Sequence, residues 1–159
     1  MIFITLGSQK FQFNRLLIEV DRLVSNEKIG EEVFAQIGYS DYLPKNFEYK
    51  GFLNRDEFGD IMNKCNKVIT HGGTGAIVAA VKQGKKVIAV PRLKKFREHV
   101  DDHQMQIVTE FENMGFIKAV KEIRELENAI SNIESLSFKS YTSNTNRIID
   151  SIQEFINRG

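Results

Sequence analysis

The chain has 159 residues, 42% of them hydrophobic, which is material for one folded unit with one core, since chains of roughly 100–200 residues commonly form a single domain. Twenty-two basic and twenty-one acidic side chains leave a formal charge of +1, so neither a nucleic-acid-binding field nor an acidic disordered tail is expected. A single cysteine, Cys65, excludes an internal disulfide framework and cannot alone build a thiolate zinc site, which fits a reducing, cytoplasmic setting and a space-filling role.

Residues 1–6 form a short apolar run rich in β-formers that ends in the turn residues Gly7-Ser8-Gln9, and it reads as a buried strand. It lacks a basic flank and is far shorter than the ~20 residues needed to cross a bilayer, so no targeting segment or membrane span is expected. Phe13, Leu16, Leu17, Val20 and Leu23 then recur at helical spacing, with Ser25-Asn26 as a stop. Residues 33–38 and 47–52 are strand candidates separated by Pro44. Asn54 is placed to cap a helix over 55–63, whose Phe58, Ile61 and Met62 form an apolar stripe. A strand over 67–70 runs into His71-Gly72-Gly73-Thr74-Gly75 and a helix over 76–83 closed by Gly84. Residues 86–90 form another strand, stopped by Pro91. A helix over 99–114, a strand over 116–120 and helical stretches over 122–133 and 142–157 complete the chain.

Strands alternating with helices imply an α/β fold: a Rossmann-like parallel sheet with helices on both faces. Ligands of such sheets bind at the carboxyl ends of the strands. The loop His71 to Gly75 places three glycines in four residues at the start of a helix, where exposed amides favour a phosphate or diphosphate and Thr74 adds a hydroxyl. The alternative is a tight turn whose glycines only relieve strain. Neither the Gly-x-x-x-x-Gly-Lys-Ser/Thr pattern nor the Gly-x-Gly-x-x-Gly fingerprint is present, Val78 standing where the third glycine of the latter belongs. Gly7, Ser8 and Gln9 leave a strand at the same edge, where their amides can converge on the same diphosphate.

The loop after the 86–90 strand carries Arg92, Lys94, Lys95 and Arg97, read here chiefly as a solvated face. Beyond it, Glu98, His99, Asp102 and Gln104 suit hydrogen bonding to ribose or sugar hydroxyls. His99 and His103 are one helical turn apart, but the glutamate of His-Glu-x-x-His and a third ligand are missing, so no metal site is expected.

Taken together, Ile4-Thr5-Leu6-Gly7-Ser8, His71 to Gly75, Gly84-Lys85-Lys86, Val90-Pro91-Arg92 and Glu98 to Gln104 resemble the nucleotide-sugar-binding half of GT-B glycosyltransferases of the family 28 type, over about residues 1–120. The pattern is similar to the C-terminal domain of the peptidoglycan N-acetylglucosaminyltransferases. It is most like the small subunits of split enzymes, namely the dolichol-diphosphate N-acetylglucosaminyltransferase and bacterial capsule and exopolysaccharide galactosyltransferases. The resemblance implies a single half-domain over 1–159, a UDP-sugar substrate with no cofactor or obligatory metal, and inversion at the anomeric carbon. It also implies a membrane-anchored partner subunit that supplies the lipid-diphosphate-linked acceptor and recruits the chain to the inner membrane face, with galactose as the expected sugar.

Carried over by position, Gly7, Ser8, Gln9, His71, Gly72, Gly73, Thr74 and Gly75 would bind the donor diphosphate, and Glu98, His99, Asp102 and Gln104 the donor sugar or ribose. His71 is the local candidate for a catalytic base, although the resemblance places that base on the partner. Many relatives carry a ribose-binding glutamate where this chain has Ala79. The 142–157 helix is expected either to pack on its own domain or to dock on the partner. A non-catalytic nucleotide-sugar module and a small epimerase-like enzyme are the competing readings.

Overall fold

A computed structural model describes residues 1–142 and 144–158; Ser143, within the expected 142–157 helix, and Gly159 lie outside the described residues. Six parallel strands form one sheet: β1 (Ile2–Thr5), β2 (Val33–Gln36), β3 (Glu48–Lys50), β4 (Lys67–His71), β5 (Lys86–Val90) and β6 (Lys118–Ala119), in the order β3-β2-β1-β4-β5-β6. The helices are α1 (Asn14–Ser25), α2 (Arg55–Lys64), α3 (Thr74–Lys82), α4 (His103–Asn113), α5 (Leu126–Asn132) and α6 (Thr145–Arg158).

The central strand explains the two-layered core. Ile2, Ile4 and Leu6 face one side with Leu16, Leu17, Val20 and Leu23 of α1 and Leu126, Ala129 and Ile130 of α5. Phe3 faces the other, among Met62 of α2, Ile77 of α3, Ile107 and Phe111 of α4, and Ile149, Ile152 and Ile156 of α6. A strand covered on both faces has no polar side to alternate, hence the continuous apolar run at the start of the chain. Cys65 is buried in the second layer, where burial pushes its thiol pKa up.

Local chemistry sets the element ends. α2 opens with a capping box in which Glu57 N–H donates to Asn54 Oδ1 at 2.9 Å and Asn54 N–H to Glu57 Oε2 at 3.0 Å. Gly115 ends α4 with φ +80°. The long connection after β2 is held by the buried carboxylate of Asp21, which accepts from the Tyr42 hydroxyl, Lys45 N–H, and the Asn46 N–H and Nδ2.

Several expected spans differ from the structure; the 76–83 helix, for one, begins at Thr74 and so takes in Gly75. The helix expected over 99–114 begins at His103, because Arg97 turns left-handed at φ +57° and the Asp101 carboxylate accepts from His103 N–H, fixing a turn where the helix was placed. The 116–120 strand shrinks to two paired residues at the sheet edge, and the 122–133 helix divides into a 3-10 turn and α5. α6 packs on its own domain through Ile149, Ile152 and Ile156, while Phe155 of the expected apolar set stays 67% exposed. Among the described residues no helix is long and apolar enough to cross a membrane.

Candidate functional site

The strand order reverses direction between β1 and β4, which pair in register from Ile2↔Lys67 to Thr5↔Thr70. Connections leaving these two neighbours run to opposite sides of the sheet and open a crevice at their carboxyl ends. A cleft of about 460 Å³ lies there, lined by Gly7, Ser8 and Gln9 from the first loop, His71 to Ala76 except Gly72 from the second, and His99, His103, Gln104 and Ile107 from the segment after β5.

The imidazole of His71 is wedged between the two loops. An added Cβ would fall 2.6 Å from its Nε2 if placed on Gly7, and 2.2 Å from its Cε1 if placed on Gly73. On Gly72 it would fall 2.7 Å from Gln104 Cβ. Three glycines are therefore required by the protein's own packing, and Gly7 also by its φ of +73°. Gly75 differs: nothing lies within 4 Å of its added Cβ, so its bare backbone faces the open cleft. It sits in the first turn of α3, whose cap Gly73 supplies no side-chain hydrogen bond, and the first N–H groups of a helix lack intrahelical partners. Those amides and the helix dipole offer a seat for an anion.

Gln104 is the fastener behind this arrangement. Its Oε1 accepts from Gly72 N–H at 3.1 Å and Arg92 N–H at 3.0 Å, leaving its amide NH₂ to face His71 Nδ1 at 3.4 Å. His71 thus carries its proton on Nε2. Burial first, then the charge of Arg92, depresses its pKa to about 3, so the ring is neutral. Its one lone pair points at Gln104, which argues against the base role considered for it. The ring spaces the loops and presents Nε2–H toward Gly7.

One donor-sugar assignment, Glu98, does not fit the structure, and the other three are placed differently with respect to the cleft. Glu98 is wholly buried: its carboxylate takes a two-pronged pair from Arg15 at 2.8 and 3.0 Å and the Leu93 N–H at 2.9 Å, so it anchors the loop after β5 instead of facing the cleft. Gln104 is 4% exposed and its oxygen is already committed. His99 remains at the cleft wall against the Phe11 ring, hydrogen-bonded to Asp101. Asp102 is exposed and accepts from Lys94 N–H. Because α4 starts at His103, His99 and His103 do not share a helix face, and no cluster of three metal-ligating side chains occurs among the described residues.

Two features escaped the sequence reading. Tyr39 and Phe52, 46% and 49% exposed, meet edge to face at 5.1 Å on the β2 and β3 side of the same sheet edge. Gly38 N–H bonds Gly51 O at 2.8 Å, and an added Cβ on Gly38 would lie 3.0 Å from Gly7 O, so this aromatic ledge adjoins the first loop. Its signal was a Gly-aromatic pair just beyond each of two adjacent strands. The second feature is Arg92, grouped by sequence with solvated cations but 1% exposed.

The sequence matches the glycosyltransferase family 28 C-terminal domain over residues 1–158. It is similar to UDP-N-acetylglucosamine transferase subunits ALG13 of Yarrowia lipolytica, 32% identical over 87 residues, and of Candida glabrata, 29% identical over 133 residues. These alignments cover 47% and 80% of this chain but only 42% and 60% of the relatives. In fold it is similar to the calicheamicin glycosyltransferase CalG4, with TM-score 0.60 and 17% identity over 99% of this chain and 38% of that one. It is likewise similar to MurG of Acinetobacter baumannii, with TM-score 0.55 and 16% identity over 95% and 49% of the two chains. The solved structures share the fold, and the family match over residues 1–158 shows that the chain belongs to the glycosyltransferase family 28 C-terminal domain family.

Proposed function

We propose that the chain is the UDP-sugar-binding catalytic subunit of a two-component inverting glycosyltransferase that moves a hexose, galactose in the first instance, onto an undecaprenyl-diphosphate-linked sugar in capsule or exopolysaccharide synthesis. The observation that carries this reading is the convergence of the Gly7–Gln9 loop and the open N-terminus of α3 at the β1/β4 switch point, with Gly75 bare toward the cleft. The donor diphosphate sits on those amides, and the Tyr39/Phe52 ledge offers an aromatic surface for the uracil ring.

In the transfer step an acceptor hydroxyl oxygen attacks the anomeric carbon, the bond from that carbon to the diphosphate oxygen breaks, and UDP leaves with the electron pair. Helix-terminal amides take up the charge that develops on the departing diphosphate. The hydroxyl proton goes to a base on the partner subunit, because the lone pair of His71 is turned to Gln104. The partner, anchored in the membrane, closes the cleft and presents the lipid-linked acceptor, while this chain works from the cytoplasmic face.

The test is co-expression with a membrane-anchored candidate partner, using UDP-galactose and UDP-N-acetylglucosamine as donors. Hexose transfer to a lipid-diphosphate glycan is expected from the pair and little from the chain alone. Equal activity of the isolated chain overturns the two-subunit reading. UDP binding without transfer in the pair favours the non-catalytic binding module.

A further inference from the structure

Arg92 is the largest of the fully buried side chains, and its guanidinium is incompletely satisfied. Nη2 donates to Leu6 O at 2.7 Å, and the group lies 5.5 Å from the centre of the Phe13 ring. Nε and Nη1 have no hydrogen-bond partner among the described residues, and Arg92 enters no ion pair there. The nearby acid Glu98 is committed to Arg15 and Leu93 N–H. Burial lowers the Arg92 pKa to about 10, partly opposed by Glu98, so the group stays charged at neutral pH. A buried, unpaired cation is costly, and a chain that only needed to fill this space would be better served by an apolar side chain of similar volume.

Its location says what offsets the cost. Leu6 and Phe13 bracket the first site loop, residues 7–12, so the guanidinium touches both ends of that loop from behind. Leu6 adjoins Gly7, which packs on His71, whose own proton affinity feels the Arg92 charge. We propose that Arg92 is a positioning residue and buried counter-charge for the donor diphosphate: it meets both ends of the 7–12 loop and holds a positive charge that Glu98 balances only in part until an anionic diphosphate lies over Gly7 and the α3 terminus. This rests on the diphosphate reading of the cleft. It gives binding and stability opposite responses to removal of the charge, because the same desolvated cation that favours the bound diphosphate strains the empty fold.

The test compares the wild-type chain with Arg92→Met, Arg92→Gln and Arg92→Lys, by thermal denaturation without ligand and by calorimetry with UDP. Arg92→Met removes the charge at similar volume, and Arg92→Gln keeps a donor for Leu6 O without charge. Both are expected to bind UDP about tenfold more weakly, a loss of about 1.4 kcal/mol. Their Tm without ligand is expected to equal or exceed that of the wild type, and Arg92→Lys to recover most of the affinity. UDP affinity in Arg92→Gln equal to wild type overturns the inference alone. A lowered ligand-free Tm together with lost affinity that Arg92→Lys does not recover also overturns it, reducing Arg92 to scaffold. Failure of the wild-type chain to bind UDP overturns the diphosphate reading and this inference with it.

Discussion

A Cβ atom on Gly73 would stand 2.2 Å from Cε1 of His71, closer than any real side chain tolerates. The glycine and the imidazole are one structural unit, since the ring fits only because residue 73 has no side chain. Gly73→Ala should therefore displace the ring, loosen Gln104 and the Gly72 amide behind it, and destabilise the fold by about 1–3 kcal/mol, the usual cost of overpacking. UDP affinity should fall with it, and Gly73→Asp should abolish UDP binding by adding a carboxylate beside the diphosphate. Combining Gly73→Ala with His71→Ala should recover stability, so denaturant titrations of the two singles and the double should show a coupling beyond additivity. Additive effects would mean the ring is not held by the glycine.

Gly75→Ala separates ligand approach from packing. With nothing within 4 Å of its added Cβ, the substitution should leave Tm within about a degree or raise it slightly, because alanine favours the helix. If the diphosphate rests on this backbone, UDP affinity measured by calorimetry should still fall severalfold. Unchanged affinity would move the ligand off the α3 terminus.

The contrast between these two glycines shows how much a sequence can reveal. The strand pattern, the parallel α/β class and the location of the loops were all legible, because periodicity and punctuation are local properties. The glycine run was legible as special but not the reason for each glycine. Gly72 and Gly73 answer to Gln104 and His71, and His71 meets Gln104 33 positions away in the chain. Glu98 likewise read as a polar residue free for a sugar, because nothing local shows that Arg15, 83 residues earlier, claims its carboxylate. Arg92 sat among three exposed cations and differed from them only in what folds over it.

The aromatic ledge predicts a division of labour. Tyr39→Ala and Phe52→Ala remove half-exposed rings that make no part of the buried core, so each should change Tm little. If the uracil ring stacks there, each should weaken UDP by about 1–3 kcal/mol, the range found for base–aromatic stacking, without changing the affinity for inorganic pyrophosphate. Parallel losses for UDP and pyrophosphate would show that the ledge shapes the first loop instead of holding the base.

His71 gives the fold a specific acid response. Its folded pKa of about 3 lies below its ordinary value of 6.5, with burial as the main cause and the Arg92 charge next. Between those values the unfolded chain binds a proton that the folded chain refuses, so stability is full above 6.5 and is lost as pH falls toward 3, by up to about 1.4 kcal/mol per pH unit. The carboxylates of Asp21 and Glu31, pushed up by burial but held below their usual range by hydrogen bonds, lose their contribution only as pH falls through and below their ordinary values of 3.8 and 4.5. Urea titrations between pH 6.5 and 5 should therefore show falling stability in the wild-type chain, and His71→Asn, which has no titrating group at that position, should flatten the slope. A slope in the variant equal to that of the wild type would show that His71 takes up its proton in the folded state as readily as in the unfolded chain, and that the wedge between Gly7 and Gly73 is open to water.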